Sequence, residues 1–446
     1  MEENIDEIKE LIENKKMNKL HEKLEYINCA DFPALFEELN KEQIIVIYRL
    51  LSKERAAEVF AELDSDVQEA LINSLTDKEL KNIIDQLFMD DATDLIEEMP
   101  ANVVKRILKN INSENRKIIN ELLKYSDDSA GSIMTVEFVD LKENMTVQEA
   151  FDRIKKIGLK KETVYNCYVT DAKRKLIGTV ELKDLLVAER DELIKDIMDT
   201  NTFTVTTVMD KEEVAKMFDK YNFIALPVVD KEERLVGIIT IDDAIDVMQD
   251  AVAEDFEIMA AMQPTEDSYF KTNIFTHSKN RIVWLLFLML SSIITGSIIT
   301  RYEEAFATIP LLVAFIPMIM GTGGNCGSQS STLIIRGLAT DEIRIKDFFK
   351  VWWKEIRVSL IVGIILAVVN GIRILVQYQN VQLAFVVGIT LVITAMIAKS
   401  LGCILPILAK KLKLDPAIMA APLITTIVDT CSVLVFFNVA VLIMQI

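Results

Sequence analysis

The sequence predicts a multidomain membrane protein: an all-α N-terminal helical array, an α/β tandem repeat, a connecting helix, and a five-helix α transmembrane domain. Three observations predict this. Charge is segregated, with 13 basic and 8 acidic residues from Arg281 onward against 36 basic and 60 acidic before it. The net-acidic front part gives way to five long apolar runs, each long enough to supply the ~20 residues that cross a bilayer as a helix. Between the two ends, a pattern of β-branched runs and helices occurs twice. A chain of 446 residues is also too long for one compact domain. So acidic a front part repels nucleic acid, which proteins bind by neutralising phosphates with Lys and Arg, and attracts cations instead. Cys29, Cys167, Cys326, Cys403 and Cys431 lie far apart, in odd number and without a CxxC pair, which predicts neither disulfides nor a zinc knuckle. The first residues have no basic and apolar leader pattern, so the front part is expected to stay in the cytoplasm.

Residues 1–126 are rich in helix formers. Asn40, Ser52, Asp64 and Thr76 recur every twelve residues, each preceded by Leu and followed by an amphipathic stretch. They read as N-caps of short stacked helices, and Gln43 and Glu79, three residues after Asn40 and Thr76, complete capping boxes. No enzyme-like constellation occurs in this segment.

From residue 127 the period changes. Ile133-Met134 matches Ile197-Met198, and Thr146 to Ala150 matches Lys211 to Ala215 as a helix start. The strand Tyr165 to Asp171 matches Ile224 to Asp230, and Leu176-Ile177-Gly178 matches Val236-Gly237-Ile238. Two copies in register, 127–196 and 197–249, resemble a pair of CBS domains, which implies a regulatory ligand sensor. Residues 250–280 form the connecting helix and linker.

The apolar runs of the segment 281–446 are Ile282–Thr300, Ala305 through Met320 to Ile335, Val358–Gln377, Val381–Ala409 and Pro416–Met444. Basic loops (Arg336 to Arg357, Lys410 to Lys413) alternate with neutral or acidic ones (Arg301 to Glu304, Gln377 to Asn380), which predicts a cytoplasmic N-terminus and an extracytoplasmic C-terminus. The fifth run contains one carboxylate, Asp429. Asp415, Pro422 and Asp429, spaced by seven, are expected on one stripe of one helix, with Asp415 at the cytoplasmic boundary and Asp429 near mid-membrane. A carboxylate at that depth points to a cation site or to a structural pair with Lys399 or Arg373. The second run carries Gly321-Thr322-Gly323-Gly324-Asn325-Cys326-Gly327-Ser328-Gln329. Its glycines permit close helix approach, and Asn325 and Gln329, four apart, share one polar face. Carboxylate, amide and carbonyl oxygens suit a hard ion; His21 and His277 lie outside the apolar runs, and Cys431 is turned away from Asp429.

Pro317, the Gly-Gly-Asn-x-Gly-x-Gln run at Gly323 to Gln329, Arg336-Gly337-Leu338-Ala339 and Asp415-Pro416-Ala417 with Pro422 and Asp429 resemble the MgtE family of magnesium channels, and the domain order agrees across the whole chain. The resemblance implies a homodimeric Mg2+ channel in the cell membrane, in contact with lipid, with no enzymatic activity. Its pore would run between the second and fifth spans and be closed by cytosolic Mg2+. It implies pore or inner-mouth roles for Asp429, Asp415 and Asn325. It implies cytosolic Mg2+ ligands at Glu212, Asp243, Asp246, Glu254 and Asp255, with Asp91 or Asp90 supplying the N-domain side. Binding of ATP at the CBS pair is left open. The alternative is a CBS-regulated coupled transporter of another divalent cation such as Co2+ or Mn2+, which the lack of internal repeats in the spans disfavours.

Overall fold

The computed structural model describes residues 2–265, 269, 272–302 and 309–445. Glu303, Glu304 and the start of the second apolar run at Ala305 lie outside the described residues. The chain divides into two compact units, Met1–Gln249 and Asp250–Ile446.

The first unit begins with short helices running from Glu2–Glu13 to Ser113–Leu122. The twelve-residue spacing marks real helix starts. Asn40 accepts a hydrogen bond from the Gln43 amide, Ser52 from Arg55 and Thr76 from Glu79, and the first and last are full capping boxes. Each cap satisfies amides that a helix start otherwise leaves unpaired. Asp64 precedes Ser65–Ser74 without a side-chain cap. Leu20, Phe32, Ile47, Phe60 and Ile72 fill the core of this array, which runs on without a break into Val214, Phe218, Val228 and Ile239 of the second repeat. The first repeat keeps its own core around Val139, Val169, Val180 and Leu185.

Each repeat forms a three-stranded sheet of the same design. β1 (Val139–Lys142) pairs parallel with β2 (Asn166–Thr170), which pairs antiparallel with β3 (Leu176–Glu181). β4 (Val205–Thr206), β5 (Ala225–Val229) and β6 (Leu235–Thr240) repeat that order. The structure explains the repeated Ile-Met and Gly positions. The segment leading into each repeat crosses to the other repeat's sheet, so Thr135 bridges to Ile238 and Asp199 to Thr179. A Cβ on Gly237 would stand 2.7 Å from the Thr135 carbonyl and 2.8 Å from Met134 Sδ. One on Gly178 would stand 2.9 Å from both the Asp199 carbonyl and Met198 Sδ. Glycine is therefore needed on each strand where the crossing Met lies down. β6 leads into the connecting helix, Ile241–Met259.

Among the described residues of the second unit, five helices are long and apolar enough to cross a membrane. The first to fifth spans contain the helices Ile274–Arg301, Ile316–Ala339, Phe348–Tyr378, Val381–Lys411 and Ala421–Met444. One sequence expectation is corrected. Asp415 and Asp429 do not share a helix, because Pro416–Met419 forms a separate 3-10 turn and Ala420 is extended (φ -83°, ψ -166°) before the fifth helix starts. Pro416 and Pro422 both lack the amide that would carry one continuous helix through this point.

Apolar helices gain little by burying apolar surface against each other in lipid, so polar ties and close packing hold the spans together. Ser331 Oγ donates to the Met419 carbonyl (2.7 Å), and Thr295 pairs with Thr430 (2.7 Å). The strongest tie is charged. Lys399 Nζ donates to Ser330 Oγ (3.2 Å) and lies 3.9 Å from Glu355 Oε2, while Ser330 donates to Glu355 (2.5 Å). Lys399 and Glu355 are only 4% and 9% exposed, so each neutralises a charge that water does not reach. Removing one partner of such a pair costs roughly 3 kcal/mol or more, whereas replacing both by apolar or neutral groups costs much less. Lys399→Met should therefore unfold at markedly lower denaturant in detergent, and adding Glu355→Gln to it should restore most of the loss; additive losses in the double variant would show that the pair is not coupled.

Candidate metal sites

The membrane site is built on the second and fifth spans. Gly323 and Gly327 let their backbones meet: a Cβ on Gly323 would lie 2.7 Å from Ser432 Oγ, and one on Gly327 would lie 2.6 Å from Ile424. Between them Gly324 faces Thr425 and Asp429, and a Cβ there would stand 3.0 Å from Thr425 and 3.9 Å from Asp429 Oδ1. Asp429 is half-buried, and among the described residues it has no ion-pair partner. The two sequence candidates are engaged elsewhere: Lys399 with Glu355, and Arg373 with Met318 Sδ (3.7 Å) and the Phe315 ring (5.7 Å).

The outer face of the second span is unusual for a helix in lipid. Gly321, Asn325, Gln329, Thr332 and Arg336 are all exposed and follow one another at intervals of three or four, so they form one polar stripe. Hydrocarbon does not satisfy such a face, which must line water or protein. Asp415 caps the 3-10 turn below the fifth span, accepting from the Ala417 amide at 2.8 Å.

The second site lies in the front unit. Asp90 and Asp91 open the helix Met89–Glu98, and Asp243 sits in the first turn of the connecting helix, where Thr240 donates to it from its hydroxyl (2.7 Å) and amide (3.3 Å). Burial, reinforced by Asp243 and Asp242, pushes the Asp91 carboxyl up to about 6. Burial also holds Asp243 at about 6, with Asp242 adding to it and the Thr240 bonds opposing it. Asp90 is raised well above the usual range, by burial first and then by Asp91 and Asp243. Glu162, from the loop before β2, is pushed up to about 8 by burial and by Asp242, Asp243 and Asp91. One oxygen each of Asp90 and Glu162 is enclosed without a hydrogen-bond partner. Within the helical array, a cavity of about 160 Å3 is lined in part by Asp91, Asp94 and Glu98.

Asp91 and Asp243 thus lie within electrostatic reach of each other and of Glu162, and Asp90 is in reach of all three. Among the described residues, no three acids, His or Cys close directly around one point. Glu212 lies in the first turn of Lys211–Tyr221 and pairs with Lys216 (3.2 Å). Asp246, Glu254 and Asp255 follow along the connecting helix; Asp243, Asp246, Asp250 and Glu254 fall at helical spacing on one acidic face. Sequence reasoning missed Glu162, which stands in an irregular loop with no periodic signal.

These features define a class: a membrane protein of five spans whose transmembrane unit is preceded by a helical domain and a CBS pair. The divalent cation transporter profile of MgtE matches residues 316–439, that of the MgtE intracellular N domain 27–128, and CBS domains 130–191 and 194–250. The magnesium transporter MgtE of Thermus thermophilus is 34% identical over 442 residues, covering 98% of each chain. That of Bacillus subtilis is 31% identical, covering 96% of this chain and 95% of its own. The chain belongs to the MgtE family. Among solved structures, the soluble part of a magnesium transporter superposes with a TM-score of 0.53 at 31% identity, over 57% of this chain and 100% of its own. The cytosolic domain of the Mg2+ channel MgtE in complex with ATP superposes at 0.52 and 36% identity, over 55% and 99%.

Two outcomes test the geometry. Gly327→Ala, whose new methyl meets Ile424, should lower the folded yield and the transport of the protein, whereas Gly321→Ala, which meets nothing within 4 Å, should leave the fold intact. Equal yields would count against the close approach. In the acidic cluster the folded pKa values are raised. Their contribution to stability is full below the unfolded values near 4 and is lost as pH rises through the folded values, about 6 to about 8. In chelator, the melting temperature of residues 1–259 should therefore fall between pH 5 and pH 8, and Mg2+ should narrow that fall; a flat profile would count against buried repulsion.

Proposed function

We propose that the protein is a homodimeric Mg2+ channel of the cell membrane, gated closed by cytosolic Mg2+. The observation that carries the pathway is Asp429: a carboxylate deep in the apolar fifth span, without an ion-pair partner among the described residues, set against the Gly324 backbone. An unpaired carboxylate at that depth calls for a cation or a water path. The neighbouring oxygens come from carboxylate, amide and hydroxyl groups, which suit a hard ion. Mg2+ gives up its waters reluctantly, so one carboxylate from each of two subunits can hold it hydrated. The polar stripe from Gly321 to Arg336 supports the dimer, since a second copy related by a two-fold axis would turn both stripes toward one shared path. Asn325 would lie on that path and Asp415 at its inner mouth. The basic loops after the second and fourth spans support a cytoplasmic front part. The similar proteins are named as magnesium transporters, which agrees with a transport role and no catalysis.

For gating, the reading assigns Mg2+ to Asp91 with Asp243, and to Glu212, Asp246, Glu254 and Asp255. The enclosed, unpartnered oxygens beside Asp243 fit a cation better than they fit an empty protein interior. An ATP-type nucleotide is the second ligand of the reading. Phe203, Tyr221 and Phe223 form a partly exposed ring cluster with centroids 4.7 to 5.5 Å apart, and Lys220 lies 4.9 Å from the Tyr221 ring. Such a face can stack a purine beside a positive charge.

Asp429→Asn should abolish Mg2+ uptake while expression and dimerisation stay normal; near wild-type flux would sink the pore assignment. Glu254→Ala with Asp255→Ala should leave currents open at cytosolic Mg2+ that closes the parent protein, and unchanged closure in patch recordings would refute the gating role. Mg2+ current without a proton gradient would separate this channel from a coupled transporter.

A further inference from the structure

We infer that Glu162 of the first repeat is a ligand of the same regulatory divalent cation that Asp91 and Asp243 hold, so that one hydrated ion ties the helical array to both repeats. The inference rests on the cytosolic Mg2+ reading above and adds a residue and a third segment to it. Glu162 is placed deliberately. Its amide donates to the Glu137 carbonyl (2.9 Å), and Glu137 accepts from the Thr135 hydroxyl (2.8 Å). Thr135 in turn exchanges backbone hydrogen bonds with Ile238 on β6 (2.8 and 2.9 Å), the strand that ends at Thr240 and leads to Asp243. The crossing of the two repeats therefore carries a first-repeat carboxylate to the second repeat's acidic helix start.

The side chain is then left unsatisfied. Glu162 Oε2 is enclosed without a hydrogen-bond partner, and so is Asp90 Oδ1 on the helical array. Asp90 is partly buried and shares its electrostatic neighbours with Glu162, each acid repelled by Asp243. The cation next in sequence does not relieve Glu162, because Lys161 is turned over the Phe138 ring, 5.9 Å from its centroid. Leaving a buried carboxylate oxygen unpaired costs free energy, and two such oxygens with acidic neighbours in common compound the cost. A divalent cation removes both penalties at once. The acids do not close directly around one point, which suits Mg2+ because it keeps several of its waters and reaches some ligands through them. Glu137, held by the Thr135 hydroxyl, adds to the repulsion on Glu162 and Asp91.

The test uses the full-length protein in detergent, with Mg2+ alone as the probe, and reads both the melting temperature and calorimetric binding. Glu162→Gln should weaken the apparent Mg2+ affinity on the order of tenfold. In chelator at pH 9, where Glu162 is ionised, it should also raise the melting temperature, because it deletes a repelling charge, an effect that loss of a merely structural residue would not give. Asp91→Asn and Asp243→Asn serve as references, and Glu189→Gln, on an exposed loop, as the control. If the two references lose Mg2+ affinity while Glu162→Gln binds and melts as the parent does, the role of Glu162 is overturned and the Asp91–Asp243 reading stands. If the parent protein itself gains no stability from Mg2+, both fail.

Discussion

The membrane unit depends on one steric constraint: the backbone of the second span has to lie against the fifth. In lipid the hydrophobic effect gives helices no reason to touch, so association rests on close packing and polar ties. Gly323 and Gly327 supply the packing, since any side chain there would overlap Ser432, Val428 or Ile424. Three consequences follow from that contact. It sets Gly324 beside Asp429, it buries Ser330 where Lys399 and Glu355 can meet through it, and it leaves the Gly321 to Arg336 stripe facing outward. Rotating the second span by a quarter turn would break the first two and hide the third.

The two units treat buried charge in opposite ways. Within the membrane unit, Lys399 and Glu355 neutralise each other, and that pair therefore has no charge to offer an ion. Asp429 lacks such a partner among the described residues, as do the enclosed oxygens of Asp90 and Glu162 in the front unit. A protein can pair a buried carboxylate with Lys, as it does here once. Where it leaves carboxylates unpaired in both units, the arrangement fits groups whose counter-charge comes from outside the chain.

Much of this was legible in the sequence because it rests on local rules. Capping boxes at Asn40 and Thr76, the doubled strand-Gly-strand pattern and the apolar runs each follow from backbone periods that sequence displays directly. The spacing of seven over Asp415, Pro422 and Asp429 fits one continuous helix, whereas Pro416 and Pro422 split the segment into a turn and a span. Pairing was less legible still. Lys399 was a candidate partner for Asp429, yet its actual partner, Glu355, lies 44 positions away on another span, and nothing in a single sequence ranks such pairs. Glu162 was invisible for a similar reason: only the crossing of Thr135 onto β6 brings its loop to Asp243.

That crossing also bears on how an ion could act as a regulator. A cation that bound open and compact arrangements equally would shift nothing, whatever its affinity. Discrimination requires ligands that come from segments able to separate. Asp90 and Asp91 belong to a helix of the N-terminal array, Glu162 to a loop of the first repeat, and Asp243 to the start of the connecting helix. Without the ion, bringing these acids together is opposed by burial and by their mutual repulsion, as their raised pKa values show. With the proposed ion, the same proximity would become favourable. On that proposal the acidic cluster is costly in one state and stabilising in the other, and the difference between the two is what a ligand must supply to move a conformational equilibrium.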